Sequence, residues 1–343
     1  EAGVFDLPDQ RKCFGPFRPL SPHGRKPRAT APRTLMIAGG VLAAAMVLPF
    51  AGHVSKGLPD RLPDGVLIAE QIRLEGRGSC LLGFDQSAPS TSQQCAPTGA
   101  KIGLIGDSHA SALGPGLAAY AKDNGTSLVQ HMKSSCGPYL GFSYSGVPNP
   151  NSIRTCGAFV ENALEKLLQD PDIETIVVAA YWPKDVSETA YTHDGTTLGP
   201  AVKMETFLDS GMSRLIEQTQ NAGKKLIFVE DVPIFESDTM SRTIGDGLRA
   251  RRALRTLVTD THGSGTEEQP RARADTDVSR AEILLRQLAE THSNVTYFQV
   301  RHQFCEDSAC RYMQEGKPLF FDRHHLSVYG SSFVDWASAF STD

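Results

Sequence analysis

The chain has 343 residues, a formal net charge of −5, 40% hydrophobic and 21% charged residues. That balance is the balance of an ordinary globular protein with a sizeable core, in one large domain or two, and it gives no sign of a nucleic-acid partner. Charge is nevertheless unevenly placed: no acidic residue lies between Asp9 and Asp60, while Arg11, Lys12, Arg18, Arg25, Lys26, Arg28 and Arg33 crowd the first segment.

Residues 1–33, rich in Pro, Arg and Gly, are expected to form a basic loop. Thr34 to Val54 contains no Lys, Arg, Asp or Glu, and its length is close to the roughly 20 residues that span a bilayer. The expectation is one transmembrane helix over 34–54, with Pro49 and Gly52 near its far end. Cations on its amino side place the N-terminus in the cytoplasm and export the remainder. A secretory signal cleaved near Ala51 is the competing reading. Cysteine usage favours export in either case. Cys80, Cys95, Cys136, Cys156, Cys305 and Cys310 all follow the apolar run and Cys13 alone precedes it, as an oxidising compartment would leave them. Sequence neighbours suggest Cys80–Cys95, Cys136–Cys156 and Cys305–Cys310. The spacings fit no usual zinc pattern, and no metal site is expected.

Residues 55–100 are Pro-, Gly- and Ser-rich and predict a linker with a small stapled subregion. From Lys101 strands and helices alternate. Lys101–Ile105 is a buried strand, Ala110–Ala121 a helix ending at Asn124-Gly125, and Ser127–His131 a second strand, followed by the loop Lys133–Pro138. Ala158–Gln169 has the apolar spacing of a helix. Glu174–Ala180 is a buried strand running into Tyr181-Trp182, Met204–Ala222 a helix and Lys225–Glu230 a strand. Phe235–Arg273, with Arg249, Arg251, Arg252 and Arg255, interrupts the rhythm as a solvated insertion or a lid. Asp277–Glu290 returns to helix and Asn294–Val300 to strand. Ala309–Met313 and Pro318–Phe321 predict a hairpin, and Ser327–Phe340 a closing helix. This alternation argues for a parallel sheet with helices on both faces, and 101–343 is expected to be the catalytic domain.

The chemistry-bearing stretch is Gly106-Asp107-Ser108-His109-Ala110. A serine at a strand-to-helix turn is lifted to the carboxyl edge of the sheet, where open α/β sheets bind ligands, and backbone amides at the helix start can face a developing oxyanion. Gly106 is expected to permit a tight turn. Serine needs a base to become a nucleophile, and the base needs an orienting group. Phe321-Asp322-Arg323-His324-His325-Leu326-Ser327 supplies both.

Gly106–Ala110 together with Asp322-Arg-His-His325-Leu326-Ser327 resembles the SGNH (GDSL-type) esterase and acyltransferase superfamily. Ser134-Ser135-Cys136-Gly137-Pro138, Val177–Trp182 and the later cysteine pairs narrow the likeness to SGNH domains fused behind an acyltransferase-three membrane domain in bacteria, over roughly residues 75–343. The resemblance implies a three-layer α/β/α fold with a parallel sheet. It implies Ser108 as nucleophile, His325 as general base and Asp322 as the orienting acid, with His324 a packed or surface residue. The family's Gly-x-Asn-Asp block is absent. The expected oxyanion donors are therefore amides at Ser108, Ser134 and Ser135, while Tyr181, Trp182 and the Pro138-Tyr139 loop are expected to line the sugar site. The implied activity is O-acetylation of a surface polysaccharide or lipopolysaccharide by a periplasmic domain anchored in the inner membrane. The domain itself is expected to bind no cofactor, the acetyl group reaching it from acetyl-CoA through the membrane domain. Residues 1–33 would be the remnant of that membrane domain. A glycan or lipid acetylesterase is the alternative, and a non-catalytic glycan-binding domain a second one.

Overall fold

A computed structural model describes residues 32–54, 64–75, 80–143, 150–182, 191–192, 204–241, 268–271, 274–275 and 278–341. The chain divides into two compact units, residues 1–59 and 60–343. In the first, helix α1 (Pro32–Val54) runs for 23 residues with Pro49 inside it, and Met36, Ile37, Val41, Leu42, Met46, Val47 and Phe50 are all exposed. Among the described residues no helix is long and apolar enough to cross a membrane. The spanning role expected for residues 34–54 is not shown by the structure.

The second unit is built on a six-stranded parallel sheet. Its strands are β1 (Leu81–Leu82), β2 (Ile102–Gly106), β3 (Leu128–Lys133), β4 (Thr175–Ala179), β5 (Lys225–Val229) and β6 (Val295–Phe298), in the order β1-β3-β2-β4-β5-β6. The helices are α2 (Asp64–Glu75), α3 (Ser108–Asp123), α4 (Pro150–Gln169), α5 (Met204–Asn221), α6 (Arg280–Thr291), α7 (Val328–Ser331) and α8 (Trp336–Phe340). Alternate strand residues feed two cores, as a pleated sheet buried on both faces requires. Ile102, Leu104, Val177, Ala179, Ile227 and Val229 face a core that includes Leu113, Leu117 and Trp336. Ile105, Ile176, Val178, Leu226 and Phe228 face the other, with Phe159, Leu164, Leu215 and Leu285. The result is three layers, α/β/α.

From β2 the chain passes through α3 to β3 on one side, then through α4 to β4 on the other. The carboxyl end of β2 is therefore the topological switch point, the crevice where such sheets bind ligands.

Several expected elements move. The sheet begins one strand ahead of Lys101, because Leu81–Leu82 pairs with Met132–Lys133 at its edge. Ala309–Arg311 pairs with Glu268–Pro270 rather than with the chain after it. The tight hairpin is shorter, Met313–Gln314 on Lys317–Pro318, turned by Glu315 and Gly316, both at positive φ (51° and 72°), as a two-residue hairpin loop needs. The closing helix is broken between α7 and α8. Arg249, Arg251, Arg252 and Arg255 lie outside the described residues. The three expected disulfides, Cys80–Cys95, Cys136–Cys156 and Cys305–Cys310, are all formed.

Candidate active site

Gly106, the last residue of β2, pairs with Met132 on one side and Ala179 on the other. A Cβ added there would stand 1.8 Å from the Ala179 carbonyl oxygen. Gly106 is not among the positive-φ glycines, so close approach of two strands demands glycine here, not the turn conformation expected from sequence. Asp107 then caps α3. Its Oδ1 accepts the His109 amide at 2.8 Å and its Oδ2 the Tyr181 amide at 3.0 Å. One buried carboxyl thus ties the start of α3 to the end of β4; burial pushes its pKa up despite both bonds.

Ser108 opens α3 half-buried, with its Oγ 2.8 Å from His325 Nε2. His325 Nδ1 lies 2.8 Å from Asp322 Oδ2 and 3.0 Å from Oδ1. Asp322 Oδ1 also accepts the amides of His324 and His325 at 3.0 and 2.9 Å. Burial works to raise Asp322, but the His325 bond and the two amides outweigh it and hold the carboxyl well below the usual carboxylate range. An ionised Asp322 fixes the His325 proton on Nδ1, leaving Nε2 to accept the Ser108 hydroxyl. Burial, partly offset by Asp322 and reinforced by His109 and His324, pushes His325 down to about 4, so the ring is neutral at neutral pH. A hydroxyl, a neutral imidazole and an ionised carboxylate in hydrogen-bonded series can carry out acyl transfer through serine.

A second buried chain lies beside the first. His109 Nδ1 is 2.6 Å from Asp231 Oδ1, and His109 Nε2 is 2.9 Å from His324 Nδ1. The His109 ring stacks on His324 at 5.0 Å and lies 4.7 Å from His325. Burial opposes the charged form of His109, but Asp231 outweighs it and raises the pKa. The His324 ring closes a separate Asp231–His109–His324 series. Nitrogen atoms of the three histidines fall within 4.8 Å of one another, a spacing a metal ion could bridge. Those nitrogens already serve Asp231, Asp322, Ser108 and one another.

Around Ser108 opens a cavity of about 490 Å³. Phe84, Ser135, Tyr181, Ile234, Arg323 and His324 are among its walls. The loop after β3 lies at its edge, fastened to α4 by Cys136–Cys156. Ser135 stands at positive φ (51°), and a Cβ on Gly137 would meet the Tyr139 ring at 2.2 Å. Three expected lining or donor roles fail. The Ser134 amide is bonded to the Leu82 carbonyl at 2.9 Å, which removes it as an oxyanion donor. Trp182 is wholly buried, its indole N–H donating to the Val229 carbonyl at 2.8 Å. Tyr139 is equally buried, under the Ser135–Gly137 turn. Both rings are core, and only Tyr181 of that group faces the cavity.

The family model for the SGNH domain (fused to AT3 domains) matches residues 73–337. The chain belongs to that family. Its fold is shared with the periplasmic domain of a lipopolysaccharide acetyltransferase from Salmonella ser. Paratyphi A, at 16% identity and TM-score 0.53 over 77% of this chain and 90% of that one. A putative acylhydrolase from Bacteroides fragilis NCTC 9343 aligns more loosely, at 11% identity and TM-score 0.34 over 74% of this chain and 89% of its own. No curated protein matches.

In this SGNH domain the residues that sequence reasoning missed are His109 and Asp231. Asp231 follows β5 at the same carboxyl edge as Ser108, and the acidic pair Glu230-Asp231 at a strand end was the available signal. What hid it was the absence of any local partner, since His109 lies far back in the chain.

Proposed function

We propose that this domain is an extracytoplasmic O-acyltransferase that passes an acetyl group through Ser108 to a hydroxyl of a surface polysaccharide or lipopolysaccharide. The observation that carries the chemistry is the unbroken series Ser108–His325–Asp322 at the cavity floor. In the first step His325 Nε2 takes the Ser108 proton as Oγ bonds to the acyl carbon, and the same proton then leaves with the donor's departing group. In the second step an acceptor hydroxyl gives its proton to His325. Its oxygen bonds to the acyl carbon, the bond to Oγ breaks, and Oγ recovers the proton. The tetrahedral oxyanion would be met by amides of Ser108 and of the Ser135–Gly137 turn. This chemistry requires no metal.

Transfer rather than hydrolysis is supported by the family's description as fused to AT3 domains and by the basic and apolar N-terminal segments, which suit a membrane anchor over 34–54. In this reading the acetyl group comes from acetyl-CoA as substrate of the membrane half, and the domain works on the periplasmic face of the inner membrane. The test is O-acetyl content of the surface glycan in cells carrying the gene with its membrane half. Wild type should restore O-acetyl groups and Ser108→Ala should not. An esterase replaces the transferase if wild type lowers O-acetyl content or leaves it at the deletion level while still hydrolysing aryl acetates.

A further inference from the structure

The two aromatic rings expected to receive the acceptor, Trp182 and Tyr139, are buried in the core, which leaves open what surface a sugar would meet on its way to Ser108. Among the described residues of 60–343, the large apolar side chains that remain exposed are Phe84 at 43%, Val278 and Ile283. Phe84 is the one of these that lines the Ser108 cavity. A lone exposed phenylalanine ordinarily needs no explanation. This one sits on an unusually well-fastened loop.

Gly83 and Phe84 follow β1, the edge strand, and so emerge at the same carboxyl edge as Ser108. The Phe84 carbonyl accepts from Lys133 Nζ at 2.5 Å and from Thr155 Oγ1 at 2.8 Å. Lys133 Nζ also donates to the Gly83 carbonyl at 2.8 Å. The Gly83 amide donates to Gln86 Oε1 at 2.8 Å, and Asn151 Nδ2 to Asp85 Oδ1 at 3.0 Å. Cys80–Cys95 closes the segment. Lys133 is wholly buried, and burial lowers its pKa to about 8. Burying an ammonium is costly, and here its hydrogen bonds go to two loop carbonyls while the Asp85 carboxylate partly offsets the burial. Side chains from β3 and α4 thereby fix the loop backbone beneath a ring that stays exposed. Such preorganisation is what lets a side chain contribute affinity without an ordering cost.

We infer that Phe84, held on the Lys133-pinned loop, is an acceptor subsite that stacks on the apolar face of a pyranose ring and brings a ring hydroxyl to the acyl group on Ser108. This rests on the transferase reading. A linear polyol offers hydroxyls of the same kind but no ring face, so the subsite predicts discrimination between the two.

The experiment uses the full chain with p-nitrophenyl acetate as donor and either methyl glucoside or glycerol as acceptor, measuring nitrophenol release and acetylated acceptor by mass spectrometry. Wild type should favour the glucoside. Phe84→Ala should lower acetyl-glucoside formed per nitrophenol by about fivefold, the worth of a partly buried phenylalanine ring. Nitrophenol release and acetyl-glycerol should fall by less than acetyl-glucoside, and Phe84→Trp should retain the preference. An unchanged ratio in Phe84→Ala overturns the subsite. If wild type acetylates neither acceptor, the transferase reading falls while the subsite is read separately by saturation-transfer NMR with methyl glucoside. Loss of the sugar signals in Phe84→Ala supports it, and identical signals in both proteins overturn it.

Discussion

Replacing Gly106 by alanine should disable the site without altering a reacting atom. The new Cβ would fall 1.8 Å from the Ala179 carbonyl oxygen and 2.7 Å from the Ala110 Cβ, where contacts under 3.0 Å are essentially never seen. β2 and β4 must therefore part by roughly 1.2 Å at the point from which Ser108 is hung, and neither neighbour is the loose end of a flexible side chain. Overpacking of this kind costs about 1–3 kcal/mol, which a domain of this size can survive. A shift of about 1 Å at a reacting group costs about 100-fold in rate. The assay is initial rate with p-nitrophenyl acetate alongside thermal unfolding. Gly106→Ala should stay folded with a Tm lower by several degrees and lose about two orders of magnitude in kcat. A folded variant with an undiminished rate would refute the claim that this strand contact sets the position of Ser108.

Four further outcomes follow from burial and pairing. His325 acts as a base only when neutral, and with its pKa pushed down to about 4 the kcat/KM profile should hold from neutral pH down to about 5 and fall as pH drops through about 4; a half-point at the ordinary histidine value near 6.5 would contradict the burial argument. His131, also lowered to about 4 by burial, joins it in stability: both fold neutral and unfold with ordinary values, so their contribution is complete above about pH 6.5 and erodes toward pH 4, by up to roughly 3 kcal/mol each. His109, whose pKa is raised, contributes stability that is complete below about pH 6.5 and is lost only at higher pH. It therefore does not offset them in that window, and a Tm that failed to fall between pH 6.5 and 4 would contradict the burial argument. His109→Ala strips Asp231 of its ring partner in a site where the two side chains are only 4% and 3% exposed; denaturant unfolding should show a loss of about 3 kcal/mol or more, and an unchanged midpoint would show that the pair contributes nothing. Finally, six of the seven cysteines are paired, so unfolded, unreduced protein should expose one reactive thiol, Cys13; three or more would place the domain in a reducing compartment.

The sheet and the triad were legible because both are written locally. Buried strands ending in Gly106, Ala179 and Val229 show as continuous apolar runs, and Asp322 and His325 sit within one turn of each other. The cysteine pairs were legible for the same reason, being near neighbours in sequence. What escaped depended on long-range packing. Leu81–Leu82 is too short to show a strand pattern and becomes one only against β3. Trp182 sits in sequence at the edge of the site, yet the strand's alternation turns it inward to Val229, while Phe84, in a stretch taken for a linker, ends at the cavity. Asp231 and His109 are more than a hundred positions apart and meet only through the β2-to-β5 geometry. The Gly106 requirement was right in residue and wrong in cause, because the carbonyl that excludes a Cβ belongs to a strand seventy residues away.

The central claim is that Ser108 carries the acyl group, and intact-mass spectrometry tests it most directly. Wild-type protein mixed with a fluorophosphonate, or quenched in acid during turnover of p-nitrophenyl acetate, should gain one adduct that peptide mapping places on Ser108. Ser108→Ala should gain none, and His325→Ala should label far more slowly. Equal labelling of the Ser108→Ala protein, or an adduct mapped to another residue, would contradict the account.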